Sequence, residues 1–280
     1  MRPAIVLLTA LAAFGAARQE RSGIAEVNGT RLYFERAGSG PAVVLLHGGN
    51  LDARMWDDQF VPLSQSFTVV RHDIRPYGRS ATSEKGFSSV DDLRALLDHL
   101  GITRASLVGL SLGGRIAIDF ALAYPDRVDK LVLMGPGLTG YEFKIEDDQH
   151  MKRAIDRAVA GDARGAMDLW LEHPMMKPAM SNPRLAERIR RIANDNLAIW
   201  ERLSVVERVS NPPAIQRLSE IRKPTLLIVG EKDVPDIQAV VKLLQTGIAG
   251  SRTEVIPGAG HMTNMEAPDR VNQLLKAFLR

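Results

Sequence analysis

Apolar residues along this chain follow two alternating patterns. Short, nearly unbroken runs rich in valine, leucine and isoleucine occupy 42–46, 68–70, 105–110, 131–134, 225–229 and 253–256. A strand covered on both faces reads this way, and such strands belong to a parallel sheet with helices on either side. Between these runs, apolar positions recur at helical spacing. In 89–100, Val90, Leu93, Leu96, Leu97 and Leu100 share one face. Segments 111–124 and 267–279 read as further helices. Near the amino end, 24–27 and 31–34 flank Asn28-Gly29, a pair that accepts the positive φ angles of a tight hairpin. Together these patterns predict one α/β domain built on a doubly wound, mostly parallel sheet.

Residues 141–211 break the alternation. They contain no convincing strand and are helical in pattern. They hold five of the ten methionines, Met151, Met167, Met175, Met176 and Met180, and two of the three tryptophans, Trp170 and Trp200. The expectation is a helical lid inserted into a core made of 21–140 and 212–280, at the sheet edge where ligands bind. Trp170, Trp200 and Met175 are the candidate substrate-binding residues, although a helical subdomain must bury at least one tryptophan for its own stability.

Residues 1–20 have a different character. Arg2 precedes an apolar run over 4–13, then Gly15-Ala16-Ala17 and polar Arg18-Gln19-Glu20. That order predicts a secretory signal cut after Ala17, which places the mature protein outside the cell or in the periplasm, or else a disordered extension on a cytoplasmic protein. The run is too short to cross a bilayer core of about 30 Å as a helix, so no integral membrane segment is expected in the mature chain.

Composition narrows the chemistry. The chain has 280 residues, 45% apolar and 25% charged, which excludes a disordered polymer. It has no cysteine, which excludes a disulfide framework, a thiolate zinc site, an iron–sulfur cluster and a cysteine nucleophile. The net charge of +3 is scattered rather than striped, so nucleic acid is not an expected partner. No phosphate loop, dinucleotide fingerprint or metal-ligand spacing occurs. The expected partner is a small-molecule substrate, with no cofactor and no metal.

The chemistry-bearing segment is Gly109-Leu110-Ser111-Leu112-Gly113-Gly114, with a predicted strand before it and a helix after it. A chain turning this sharply exposes the serine hydroxyl above the sheet, and the glycines avoid collision. A serine needs a base to act as a nucleophile, and in this architecture the acid and then the histidine follow it in the chain. His261, in Gly258-Ala259-Gly260-His261 after the last strand, is the candidate base. His47 and His72 precede the serine and read as structural. Asp233, in Gly230-Glu231-Lys232-Asp233 after the strand 225–229, is the candidate acid, with Glu231 and Asp236 as competitors. Asp236 reads better as a first-turn helix charge. An oxyanion hole needs two backbone N–H groups. Leu112 should supply one. Gly49, in His47-Gly48-Gly49-Asn50, should supply the other, with Asn50 as second choice.

These segments, together with Leu45-Leu46-His47-Gly48-Gly49 and Asp73-Ile74-Arg75-Pro76-Tyr77-Gly78-Arg79-Ser80, resemble the α/β-hydrolase superfamily over 23–280. Pro76 stands where that family usually has glycine. Residues 51–56 resemble the enol-lactonase and small carboxylesterase branch. The resemblance implies a serine hydrolase with Ser111 as nucleophile, Asp233 as acid, His261 as base, and Gly49 and Leu112 as oxyanion donors. It implies cleavage of a small carboxylic ester or lactone through an acyl-enzyme. Alternatives are hydrolysis of carbon–carbon bonds in ring-cleavage products and a ligand receptor built on this fold.

Overall fold

A computed structural model describes residues 21–82, 86–144, 149–203 and 206–280. The apolar run over 4–13 and the cleavage expected after Ala17 lie outside these residues. Eight strands form one sheet in the order β1-β2-β4-β3-β5-β6-β7-β8. They are β1 (Arg21–Val27), β2 (Thr30–Ala37), β3 (Ala42–Leu46), β4 (Thr68–His72), β5 (Ala105–Leu110), β6 (Val128–Met134), β7 (Thr225–Gly230) and β8 (Arg252–Ile256). β1 and β2 form the expected hairpin, with Asn28 and Gly29 both at positive φ, and β2 pairs antiparallel with β4. From β4 to β8 every pairing is parallel.

The unbroken apolar runs explain this architecture. Along β3, Val43 and Leu45 enter one apolar cluster, while Val44 and Leu46 enter the cluster on the opposite face. The second face is covered by α2 (Ser89–His99), α3 (Leu112–Ala123) and α8 (Pro235–Gly247). The first is covered by α1 (Asp57–Ser64) and α10 (Pro268–Leu279). The predicted face of α2 packs as expected, with Leu93, Leu96 and Leu97 fully buried. Its Ser88 cap accepts the Asp91 N–H. The sequence pattern did not mark α1, whose interior contains Pro62.

Between β6 and β7 the chain leaves the sheet and forms α4 (Gln149–Val159), α5 (Ala163–Leu171), α6 (Lys177–Met180) and α7 (Pro183–Asn194), with short 3-10 turns. Among the described residues of 141–211 no strand occurs, only a single bridge of Glu207 to Phe87. The two ends of this insertion lie side by side. The Ile215 N–H donates to the Thr139 carbonyl at 3.1 Å. A Cβ on Gly140 would stand 2.6 Å from the Pro213 ring. Buried Asp119 on α3 joins both ends, accepting from Thr139 Oγ1 at 2.7 Å and Ser210 Oγ at 3.2 Å. Arg115, one turn earlier on α3, pairs with Asp119 and with Glu207. Burial raises the Asp119 pKa despite these donors.

Candidate active site

Ser111 sits between β5 and α3 with φ 54° and ψ −112°, a conformation that costs a non-glycine residue about 1–3 kcal/mol. The surroundings hold it there. Its N–H donates to the Met134 carbonyl, and its own carbonyl accepts from Arg115 and Gly137, each at 3.0 Å. The flanking glycines have no alternative. A Cβ on Gly109 would overlap the Gly113 carbonyl, and one on Gly113 would overlap the Leu46 carbonyl. The helix begins at Leu112 rather than at Ser111, which is its cap residue. Leu112 is therefore in the first turn, where no preceding carbonyl is in place to accept its N–H.

Asp233 lies just beyond β7 and His261 just beyond β8, and the structure brings their side chains together. His261 Nδ1 is 2.9 Å from Asp233 Oδ2 and 3.1 Å from Oδ1, with both residues buried. This fixes the tautomer: Nδ1 carries the proton toward the carboxylate, which leaves Nε2 with its lone pair. Nε2 is buried and has no hydrogen-bond partner. Burial alone would depress the His261 pKa, but the Asp233 carboxylate, with a smaller contribution from Glu266, outweighs it, and the pKa is raised above the ordinary histidine value. Gly135 bridges the two halves of the site. It follows Met134, the acceptor of the Ser111 N–H, and a Cβ on it would stand 3.2 Å from His261 Nδ1.

The two competitors for the acid are engaged elsewhere. Glu231 Oε2 accepts from the Gly258 N–H at 2.7 Å. Asp236 accepts from the Tyr141 hydroxyl and the Lys144 N–H, in the first turn of α8. The loop after β3 also resolves into roles. The Gly48 N–H points to Met55 Sδ at 3.1 Å. The Asn50 N–H faces the Tyr77 hydroxyl and moderates a phenol that burial has pushed up to about 12. Gly49 is the member of this loop that remains available, partly exposed beside Tyr77.

His47 is structural, as its position before the serine predicted. Its Nε2 accepts the Ile74 N–H at 2.8 Å, so Nδ1 holds the proton and donates to the Gly48 carbonyl at 2.8 Å. Burial lowers its pKa, in line with the neutral ring these two bonds require.

The insertion packs against loops at this edge of the sheet. A Cβ on Gly260 would stand 2.6 Å from Pro178 of α6. Asn196, just past α7, donates to Asp52 at 3.0 Å and accepts the Gly78 N–H at 2.7 Å. Arg188 pairs with Asp58, and Arg54 with Asp195. Trp170 and Trp200 are both buried in the apolar cluster of the sheet's first face, which continues into the insertion, and Met175 is half-buried against it. The same cluster includes Leu110 and Met262, the chain neighbours of Ser111 and His261. Among the described residues no three His, Asp or Glu side chains are grouped so that they could hold a metal ion. No helix there is long and apolar enough to cross a membrane.

A sequence model of the alpha/beta hydrolase fold matches residues 41–268. The chain belongs to the α/β-hydrolase family. It is 30% identical over 265 residues to the 2-hydroxy-6-oxononadienedioate/2-hydroxy-6-oxononatrienedioate hydrolase of Escherichia coli K12, covering 89% of this chain and 91% of that one. Among solved structures it is similar to a thermophilic esterase from Thermogutta terrifontis, with TM-score 0.77 and 28% identity over 93% of this chain and 98% of the other. It is also similar to the enol-lactonase of Burkholderia xenovorans LB400, with TM-score 0.76 and 25% identity over 92% and 99%. Like these relatives, this α/β-hydrolase is an enzyme.

Proposed function

We propose that this α/β-hydrolase cleaves a small carboxylic ester or lactone through an acyl-enzyme on Ser111. The observation that carries the reading is the buried Asp233–His261 pair, with an unpartnered Nε2 on the side facing away from Asp233. His261 Nε2 takes the Ser111 hydroxyl proton as Oγ attacks the substrate carbonyl. The Gly49 and Leu112 N–H groups receive the oxygen as it becomes negative. His261 returns the proton to the departing alkoxide, and Asp233 stabilises the imidazolium between the two steps. Water then repeats the cycle on the acyl-enzyme. Apolar cover from the insertion suits an apolar acyl or alcohol part, with Trp170, Trp200 and Met175 as the proposed specificity residues.

A fluorophosphonate probe tests the nucleophile and should label Ser111 and no other residue. A panel of p-nitrophenyl esters, lactones and ring-cleavage dienones tests the substrate class. Ester or lactone turnover near the typical ~10 per second supports the reading. Turnover confined to dienones supports the second reading, carbon–carbon hydrolysis; the E. coli relative is named as a hydrolase of 2-hydroxy-6-oxononadienedioate. A single slow turnover would instead favour a receptor. Export of the chain with loss of residues 1–17 rests on the sequence, and the intact mass of protein from the exported fraction tests it.

A further inference from the structure

Glu266 belongs to none of the sequence motifs, yet the structure ties it to both sides of the candidate base. Glu266 closes α9 (Thr263–Glu266), a single turn that follows the histidine loop. Its Oε2 accepts the Gly260 N–H at 2.8 Å, and its Oε1 accepts the Met262 N–H at 2.9 Å. His261 lies between those two residues. The Met262 carbonyl in turn accepts the Glu266 N–H at 2.8 Å, so the side chain and backbone of Glu266 close a reciprocal ring around the loop. The arrangement uses the logic of a capping box, here applied to the residues that present an imidazole.

The loop needs such a brace. No regular element holds 257–262. The loop threads between two walls, since a Cβ on Gly230 would overlap the Gly260 carbonyl, and Gly260 itself lies against Pro178. Backbone contacts hold its early part, where the Lys232 N–H donates to the Ala259 carbonyl at 2.8 Å. At His261 itself, orientation comes from Asp233 on one side of the ring and from Glu266 through the flanking amides.

We propose that Glu266 is a positioning residue for His261, aiming Nε2 at Ser111 and adding a second negative charge beside the imidazolium. This rests on the reading of His261 as general base. A carboxylate is the group that fits: it accepts two N–H donors at once, whereas an amide would accept one and oppose the other with its own NH2. The charged groups facing the imidazole are Asp233, from the turn after β7, and Glu266, from α9; Gly135 of the β6 loop, which faces the ring, and Pro178 of α6, which lies against the neighbouring Gly260, are uncharged. Burial raises the Glu266 pKa, its two amide donors oppose that, and its charge supports that of His261.

The test compares Glu266→Gln, Glu266→Asp and His261→Ala on one p-nitrophenyl ester. Glu266→Gln should lower kcat by about 10- to 100-fold with little change in KM, the scale of a slightly misplaced reacting group. The acidic limb of kcat/KM against pH should also move to lower pH by about 0.5 unit or more, because an anion beside the imidazolium is gone. Glu266→Asp keeps the charge and shortens the reach, so it should lower kcat while leaving the pH midpoint near wild type. If Glu266→Gln does not fold, the Asp variant decides: wild-type kcat there overturns the proposal. A folded Glu266→Gln with wild-type kcat and pH midpoint also overturns it. In either case, if His261→Ala is inactive, the base assignment stands without Glu266. If His261→Ala stays active, the general-base reading fails first.

Discussion

The loops at the carboxyl edge of the sheet and the insertion above them hold their residues by different means. In the loops, backbone lies against backbone. The turn at Ser111 closes because Gly109 and Gly113 carry no side chain, and Gly230 and the Gly260 carbonyl cross in the same way. In the insertion, side chains do the holding. One apolar cluster contains Trp170, Trp200, Met176 and Ile189, and polar ties from Arg188, Asp195 and Asn196 fasten it to the Asp52–Asp58 region. Close backbone contact tolerates almost no change in sequence. An apolar cluster tolerates many, provided volume is kept. On the proposed reading, the reacting groups are on the unforgiving part, and the surface proposed to meet the substrate is on the adaptable part.

The largest expected effect tests whether chemistry is confined to the loops. Ser111→Ala and His261→Ala should each lower kcat by about 10^6-fold, and the double variant should be no worse, because the groups act as a unit. Melting temperatures should stay near wild type. Asp233→Asn should lower kcat by about 10^4-fold, because the wrong tautomer is then favoured, while Glu231→Gln should leave the rate almost unchanged. The reverse ranking would move the acid to Glu231.

Next come the tryptophans. Trp170→Ala and Trp200→Ala each empty a buried site and should cost about 3–5 kcal/mol of stability by denaturant melts. A change in acyl-chain preference beyond that loss marks the residue as pocket-lining. An unchanged profile marks it as core and would shift specificity to the loops at 50–56 and 135–139.

Asp119→Ala should cost about 1–3 kcal/mol, since Thr139, Ser210 and Arg115 lose a buried partner. If the neck of the insertion sets access, KM for bulky esters should change more than KM for acetate esters. An equal change would make Asp119 a plain stability residue.

A pH profile adds a smaller, signed effect. The base must be neutral to act, and the His261 pKa is raised. The acidic limb of kcat/KM should therefore have its midpoint above about 6.5; a midpoint below that value would contradict the Asp233 pairing. The smallest effect belongs far from both regions. Gly29→Ala in the β1–β2 turn forces a side chain to positive φ and should cost on the order of 1 kcal/mol with activity intact.

The same contrast explains what the sequence made readable. Crossing backbones demand glycine at set spacings, so the loops at Ser111, Asp233 and His261 stand out as words in the chain. The parallel strands were legible because burial on both faces leaves no exposed position in β5 or β7, and only Ser106 and Thr225 interrupt their apolar runs. The insertion was legible as helix but not as a surface. Trp170 and Trp200 have the same composition signature whether they face substrate or one another, and only packing separates the two. α1 was hidden by Pro62, which interrupts the pattern without breaking the helix. Glu266 was hidden because its signal, a glutamate a few residues after a histidine, is common, and its meaning comes from two backbone amides folding back on it. Asp233 was readable as the first choice of three carboxylates for the acid, and its 2.9 Å distance to His261 Nδ1 supports that proposal.

The adjacent ends of the insertion carry a consequence for how such an enzyme diversifies. Thr139 and Ile215 are hydrogen-bonded neighbours, so everything between them is a detour that begins and ends at one point of the scaffold. A gene segment coding for that detour can be exchanged for one of another length without moving either end, and lengthening a loop costs entropy only logarithmically. Its outright removal is a different matter, because Trp170, Trp200 and Met176 of the insertion belong to one apolar cluster with the sheet's first face. Such a cassette is more readily swapped than discarded. Chimeras that graft a relative's segment between 139 and 215 should keep the host's reaction and take on the donor's choice of substrate.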